Sequence, residues 1–440
     1  MAEATLAAAE RTGAAFTRDA LEQLAEGDAL WLRARRFEAW HTFEDLPLPS
    51  TRMEEWRYTD VRLLKLDAVA LAEPKPGAQL PPAALESIEG KEHAGRALQV
   101  GPSIVLVEID DELRRQGVIL ADLRAAARDH EALVEPNLAG RALPAAAGKF
   151  AALNAAFWQA GVFLYVPRGV RIEKPIRILR WIDEPGVAVL PRTLVVAEEG
   201  SRVAVVEEFA SPDFDRPTLS IGAVELYAGN AAQLHYVALQ RWGGGVRHVS
   251  TQRTIAGRDA ALDTMVVNLG ASVARVDHAA ALVGPGARSD MLGLYFANGD
   301  QHFDMNTRQD HTVPHASSDL LYKGALYDKA RTVFRGIIKV FPKAQRTDAY
   351  QTNRNLLLSE RAEATSLPNL EIEADDVRCS HASTVGHLDD EELFYIMSRG
   401  IPRAVAERLV VFGFFGEVLD RLPLPSVVDE LRTAIERKIR

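Results

Sequence analysis

The 440-residue chain is 47% hydrophobic and 25% charged, which is typical of a globular protein, and its length predicts two or three structural units. Its net charge of −10 at pH 7 disfavours a nucleic acid or an anionic membrane as a partner. The single cysteine excludes an internal disulfide framework, and no apolar run approaches the roughly 20 residues of a membrane span. The first residues, MAEATLAAAERTG, lack the basic start and long apolar stretch of a secretory signal. We therefore expect a cytoplasmic protein that binds neither nucleic acid nor membranes.

The N-terminal part of the chain is helical in pattern. Apolar residues recur every three or four positions over residues 1–45, which predicts helix, and the prolines of Leu46–Pro49 end it. Thr51 with Glu54 fits a capping box that would begin a further short helix. Trp56 in that helix could anchor it on the core or mark a binding surface, and anchoring is the favoured interpretation.

Residues 61–100 contain several proline and glycine loop signals and are predicted to be a connector. Beyond it, a short strand and two helices are predicted at Ser103–Val107, Leu123–Leu133 and Phe150–Gln159. The glycine-rich stretch that ends at Lys149 lacks the spacing and the Ser/Thr of a phosphate-binding loop. We expect no ATP hydrolysis by this chain alone.

Short β-type runs separated by tight turns follow one another from residue 162 to about residue 385. Glycines recur in similar turns at 200, 229, 257 and 284, and further copies without the glycine begin at Tyr327 and Ser359. A period near 28 residues favours a β-solenoid. A β-sandwich is the alternative, but a fixed long period would not be expected of it.

The chain becomes helical again after Leu388. Asp389 is a good N-cap for a helix that ends before Gly400, and further helices are predicted over about 403–421 and 426–439. This end is unusually apolar, above all in Val411-Phe-Gly-Phe-Phe. These side chains either pack internally or bind a partner, and the pattern alone leaves both open.

The most distinctive stretch is Leu370–Leu388, which contains Cys379 and His381. On a β-strand, residues two apart have their side chains on the same face. A thiolate and an imidazole together suit iron, zinc or copper. Two ligands do not complete a metal site, so a second chain or a cofactor would have to supply the rest. A small thiol beside a hydrogen-bonded histidine is the plainer interpretation of the residue types alone.

Two other groups of polar residues need the same test. The first group comprises His302, His311 and His315 with Asp304 and Asp310. It could hold a metal, but hydrogen bonding along a polar strand is the favoured interpretation. Asp375 and Asp376 could form an acid/base pair, but adjacent strand residues point to opposite faces, which favours a solvated turn.

The chain resembles the SufB/SufD family of iron–sulfur cluster assembly scaffolds, and the SufD branch in particular. The motifs that carry the resemblance are Glu54–Thr59 (EEWRYT), Gly161–Val170 (GVFLYVPRGV) and, most specifically, Leu370–Gly386 (LEIEADDVRCSHASTVG). The chain departs from the family pattern at Ala382, often Gly, and at His387, often Gln. Its lone cysteine disfavours the SufB branch, in which several cysteines carry sulfur.

The resemblance implies a right-handed parallel β-helix core at 161–387, between an N-terminal helical and mixed region at 1–160 and a C-terminal helical region at 388–440. It implies a non-catalytic scaffold subunit that pairs with a SufB-like subunit and docks a SufC-like ATPase. A transient iron–sulfur cluster or iron would be shared at the SufB–SufD interface. His381 would be the main ligand on this chain and Cys379 a secondary one.

The resemblance implies that the ATPase docks on the C-terminal helical region, and the apolar pattern there makes its expected contacts Phe394, Phe412, Phe414 and Phe415. A homodimer that uses the same interface, and a bound flavin, both stay open. The competing functions are a β-helix enzyme that acts on polysaccharide, which would need a carboxylate-lined groove, and a purely structural adaptor.

Overall fold

The computed structural model describes residues 15–75 and 77–439. The helices, in chain order, are α1 (Arg18–Leu24), α2 (Leu30–Asp45), α3 (Pro82–Glu86), α4 (Asp111–Arg115), α5 (Leu123–Asp129), α6 (Glu131–Val134), α7 (Lys149–Phe157), α8 (Asp390–Ser398), α9 (Arg403–Leu419) and α10 (Pro425–Ile439). Short 3₁₀ helices span Glu54–Trp56, Val61–Leu64, Leu66–Ala68 and Ala145–Ala147.

The strands dominate the chain. In chain order they are β1 (Ala70–Leu71), β2 (Gly95–Val100), β3 (Ser103–Ile109), β4 (Ile119–Asp122), β5 (Gly161–Val166), β6 (Ile176–Trp181), β7 (Val187–Val189), β8 (Arg192–Ala197), β9 (Arg202–Ala210), β10 (Thr218–Ala228), β11 (Gln233–Arg241), β12 (Val246–Ala256), β13 (Ala261–Asn268), β14 (Val273–Leu282), β15 (Arg288–Ala297), β16 (His302–His311), β17 (Ser317–Leu326), β18 (Arg331–Val340), β19 (Asp348–Leu357), β20 (Glu363–Ile372) and β21 (Arg378–His387).

From β8 onward the chain winds as a parallel β-helix, which confirms the predicted solenoid. Even-numbered strands from β8 to β20 lie side by side in the first sheet, and odd-numbered strands from β9 to β21 lie side by side in the second. Each coil therefore adds one strand to each sheet. Measured between register partners in the first sheet, one coil contains between 26 residues (Arg247 to Val273) and 32 residues (Arg331 to Glu363).

Side chains alternate between the interior of the coil and its outer surface. The interior is a continuous apolar cluster that extends from the first coils to Phe334. Large interior side chains fit where the neighbouring strand has glycine. A Cβ atom on Gly324 would stand 1.9 Å from the Tyr295 ring, and one on Gly293 would stand 2.3 Å from the Tyr322 ring. The coils thus stack at close-packed density around paired tyrosines and glycines.

The four repeating glycines all lie at the corner where a first-sheet strand passes to the second sheet. Corners stack so closely there that a Cβ atom on Gly284 would stand 2.0 Å from the Arg258 backbone nitrogen. The assignment of Tyr327 and Ser359 to the same series was wrong. Both lie at the opposite corner, where the second sheet returns to the first. The true continuation, at residues 312–316, 341–347 and 373–377, has no glycine and was therefore missed.

Several N-terminal boundaries differ from those predicted. The helix expected over 1–45 is two helices in the described part, separated by a turn in which Gly27 has a φ of +74°; residues 1–14 lie outside the described residues. The capping box at Thr51 was wrong, because the 3₁₀ helix that follows has Met53 as its N-cap. The predicted helix Leu123–Leu133 is broken at His130, where φ is −134°.

The connector prediction for residues 61–100 was also partly wrong, since β2 pairs in parallel with β6 and so extends the second sheet. At the other end the helices lie close to the predicted bounds. α9 buries Val411 and Phe415, and α10 buries Leu431, in one apolar cluster with Leu292 and Leu294 on the outer surface of the second sheet. Arg421 pairs with Asp319 on β17 at 2.9 Å, which fixes the end of α9 to the sheet.

Candidate metal half-site at the last coil

The β-helix ends with an open coil. Within the described chain, β20 pairs only with β18, and β21 pairs only with β19, so each strand has one edge without a strand partner. Most side chains of β21 are exposed. The backbone N–H and C=O groups along such edges can pair with a strand of another chain.

Cys379 and His381 both lie on β21, and their side chains share one face as the i, i+2 spacing predicted. Cys379 packs against the last apolar interior cluster, which includes Ala349 and Ile338, so this face is the interior of the coil. Cys379 is half-buried and His381 is exposed, because no further coil covers them among the described residues. Burial, with a smaller effect of nearby Asp348, raises the pKa of the Cys379 thiol.

Behind these side chains the interior becomes polar. Ser366 on β20 donates to Asn353 Oδ1 at 2.7 Å, and Asn355 Nδ2 donates to the same oxygen at 2.8 Å. The Tyr295 hydroxyl donates to Asn355 Oδ1 at 2.7 Å and accepts from Asn353 Nδ2 at 3.1 Å. Burial raises the pKa of Tyr295, so its phenol stays protonated. The last coils therefore place a satisfied network of neutral donors and acceptors further along the strand, where Asn353 and Asn355 are in register with Ser383 and Val385.

The described residues contain two candidate metal ligands at this end of the chain. Across residues 15–75 and 77–439, no three His, Cys, Asp or Glu side chains converge in a way that could hold a metal ion. A thiolate and an imidazole leave two positions of a tetrahedral site to be filled. Cys379 and His381 therefore could not hold a metal ion without ligands from another molecule.

The second histidine group is dispersed. His302 Nε2 lies 2.8 Å from the Thr59 hydroxyl, and His311 Nε2 lies 2.8 Å from the Ser318 hydroxyl. His315 is exposed in a turn with a φ of +61°. Burial lowers the pKa of His302, and it lowers that of His311 to about 4. His302 and His311 are therefore hydrogen-bonding groups of polar strands, as the favoured interpretation predicted.

Asp375 and Asp376 lie exposed in the turn between β20 and β21. The Arg346 backbone N–H donates to the Asp376 carbonyl at 2.5 Å, and Arg346 Nε lies 3.5 Å from the Asp376 carboxylate. This is the solvated turn that was favoured over an acid/base pair.

The EEWRYT motif binds to the outer surface of the first sheet, which sequence reasoning did not locate. Trp56 is buried, and the Arg275 guanidinium carbon lies 3.9 Å from the centre of its ring. Arg275 also donates to the Glu55 carbonyl at 2.8 Å, and Thr59 donates to Asp304 at 2.5 Å. The motif therefore anchors the N-terminal region on β14 and β16.

The four C-terminal phenylalanines fall into different environments. Phe394 is 74% exposed and its neighbour Tyr395 is 60% exposed, whereas Phe415 is fully buried in the internal cluster. Phe412 and Phe414 are half-buried and border that cluster. Burial thus removes Phe415 from the residues that a partner could contact in this conformation.

None of the helices in the described ranges is both long enough and apolar enough to cross a membrane.

Comparison with known proteins gives a consistent family. Residues 180–414 match the family described as "SUF system FeS cluster assembly, SufBD core domain", and residues 107–178 match the "SufBD protein N-terminal region". The chain is 31% identical over 418 residues to the iron–sulfur cluster assembly protein SufD of Bacillus subtilis, which covers 93% of this chain and 94% of the relative. It is 32% identical over 426 residues to an iron–sulfur cluster assembly SufBD family protein of Mycobacterium leprae, covering 94% and 96% of the two chains. The chain therefore belongs to the SufBD family of iron–sulfur cluster assembly proteins.

Proposed function

We propose that this chain is the SufD-type scaffold subunit of a larger complex and that it pairs with a SufB-like subunit through the open edge of its last coil. The observation that carries the proposal is an incomplete ligand set at an unpaired edge. Cys379 and His381 face the open end of β21, whose outer edge is available for pairing. A partner strand placed there would bring its own side chains beside both residues.

The nascent iron–sulfur cluster, or its iron, is the substrate of this interface. His381 is the main ligand that this chain would offer, because its imidazole is exposed. Cys379 is the secondary one, because burial raises the pKa of its thiol and so disfavours the thiolate that binds metal. The remaining ligands would come from the SufB-like subunit. This chain binds and orients, and the proposal gives it no catalytic step.

A SufC-like ATPase would dock on the C-terminal helices. Helix α8 buries only Leu393 among its described side chains and leaves Phe394, Tyr395 and Met397 exposed at 74%, 60% and 39%. Leu409 of α9, which is 49% exposed, adds to this apolar surface. Phe412 and Phe414 could contribute from their half-buried positions, and Phe415 supports them from within.

The C-terminal helices could pass ATPase movement to the β-helix, because charged contacts fix them to it. Glu430 of α10 pairs with Arg177 on β6 at 2.5 Å and with Lys91 at 3.2 Å. Arg177 is 3% exposed, so water screens this contact weakly. We propose that ATP-driven approach of two such ATPases moves these helices, opens the interface and exposes His381 to incoming iron.

The test is the His381→Ala variant in a complex with SufB-like and SufC-like partners. Cluster assembly, followed by visible absorbance after sulfide and ferrous iron are supplied, should be lost or slowed at least tenfold. His41→Ala is the matched control, because His41 is an exposed histidine of α2, remote from the last coil in sequence. Cys379→Ala should have the milder effect of the two. Assembly at the wild-type rate by His381→Ala would show that the ligand role is wrong.

A further inference from the structure

A cleft of about 390 Å³ lies between the C-terminal helices and the second sheet. The first half of α9 and the last residues of α10 form its walls, and the corners that follow β15, β17 and β19 form its floor. Phe296, Leu358, Val411 and Ile439 give the cleft an apolar lining. Clefts of this size and composition bind small organic ligands when a few polar groups fix the orientation of the ligand.

Lys438 is the first polar group of the cleft. Its Nζ donates to Asn298 Oδ1 at 2.5 Å and to Gln301 Oε1 at 3.0 Å. Both acceptors belong to neutral amides, so they leave the charge of the ammonium uncompensated. Burial lowers the pKa of Lys438 to about 8, although the charge of Asp213 opposes this effect. A bound anion would supply the counter-charge that this ammonium lacks.

Arg408 is the second polar group. It lines the cleft from α9, is half-buried, and has neither an ion pair nor a hydrogen bond in the described part of the chain. The two carboxylates of the lining already have partners. Glu407 Oε1 accepts from Arg403 Nε at 2.8 Å. Asp328 Oδ2 accepts from the Gly299 backbone N–H at 2.9 Å. The cleft therefore offers two cations that lack a counter-charge beside an apolar surface.

We propose that this cleft binds a small organic carboxylate, whose apolar body lies against Phe296 and Val411 and whose carboxylate pairs with Lys438 and Arg408. A single negative charge on an apolar body is the chemistry that matches both parts of the lining. Because both helices and the second sheet line the cleft, the ligand would also join the C-terminal helices to the β-helix. The inference is independent of the roles proposed above for Cys379 and His381.

The first measurement is calorimetric titration of the full chain with 4-phenylbutyrate and with 4-phenylbutan-1-ol, its uncharged counterpart. The carboxylate should bind at least tenfold more tightly than the alcohol, and Arg408→Gln should remove most of that difference. Ala404→Trp should abolish binding, because Ala404 is an exposed residue of α9 that lines the cleft, and the indole would fill it. Arg432→Gln is the matched control, since Arg432 is an exposed arginine of α10 that does not line the cleft.

Three results of this titration would overturn the proposal. They are no binding of 4-phenylbutyrate by the wild-type chain, equal affinity for the alcohol, and unchanged binding in both Arg408→Gln and Ala404→Trp.

The second measurement is the pH dependence of 4-phenylbutyrate binding. The charged groups around Lys438 are Asp213, Asp328, Glu407 and Arg408. Carboxylates and guanidinium groups ordinarily keep their charge between pH 7 and 9, so Lys438 is the one of these groups that titrates there. Its ammonium loses a proton as the pH rises through about 8, and the affinity should fall roughly tenfold from pH 7 to pH 9. Lys438→Gln should bind more weakly at pH 7 and show no such fall. A wild-type affinity that is constant over this range would overturn the assignment of Lys438.

Discussion

Replacing Trp56 by alanine should release the EEWRYT segment from the β-helix. The Trp56 ring is 8% exposed, stacks on Arg275 and lies 5.4 Å from the Phe150 ring. A buried aromatic ring covers about 200 Å², which at about 25 cal/mol per Å² gives about 5 kcal/mol. Measured Trp→Ala costs of about 3–5 kcal/mol agree with this figure. Because the ring belongs to a surface segment, the loss should appear first as local opening.

Hydrogen exchange of residues 50–66 measures that opening. A loss of about 3–5 kcal/mol corresponds to exchange roughly 100- to 4,000-fold faster in this segment, since 1.4 kcal/mol is tenfold. Tyr58→Ala is the matched control, because Tyr58 lies in the same motif but is 43% exposed. It should change the local free energy by less than about 0.5 kcal/mol. Equal acceleration by both variants, or exchange within threefold of wild type in Trp56→Ala, would refute the anchoring role.

Two further predictions concern acid stability and ATPase docking. Burial lowers the pKa of His248 and of His278 from 6.5 to about 3, so unfolding takes up protons between these values and stability falls as the pH drops through this window. The urea midpoint of His278→Gln should therefore depend less steeply on pH than that of wild type; equal slopes would contradict this. Phe394→Ser should weaken binding of a SufC-like ATPase, measured by calorimetry, by about 2 kcal/mol, or roughly 30-fold. Leu30→Ser, which alters another exposed apolar residue (Leu30 is 88% exposed), should leave the affinity unchanged.

Local sequence patterns predicted the solenoid because each coil repeats the same strands and turns. Gly229, Gly257 and Gly284 recur where stacked corners leave little space for a Cβ atom, so the spacing of glycines reports the coil. The later corners of the same series, at residues 312–316, 341–347 and 373–377, contain no glycine. The glycine spacing therefore stops there, although the coils continue. The repeat is thus visible where a close backbone approach, or the positive φ of Gly200, requires glycine.

Contacts between parts of the chain that are distant in sequence could not be predicted from local sequence patterns. β2 joins the second sheet by pairing with β6, about 80 residues later, and nothing in its own sequence indicates this partner. Among the C-terminal aromatics, burial follows helical spacing from Val411 to Phe415 to Val418, yet the surrounding phenylalanines obscure that stripe. His381 was found from its spacing to Cys379, whereas its register partner Gln351 could not be identified, because register joins residues that are 30 positions apart.

The two ends of the β-helix differ in a way that bears on its partner. At the first coils, β2 and β3 continue the second sheet, and β4 continues the first. At the last coil, β20 and β21 each have one edge without a partner strand in the described part of the chain, and Ile372 and Val385 are 41% and 44% exposed. An uncovered edge with apolar side chains favours unspecific strand pairing, which proteins normally prevent by charge or by a cap. An uncovered end beside the two proposed ligands therefore supports the proposal that a second chain covers it. That chain would both protect the edge and supply the ligands needed, beside Cys379 and His381, to complete a metal site.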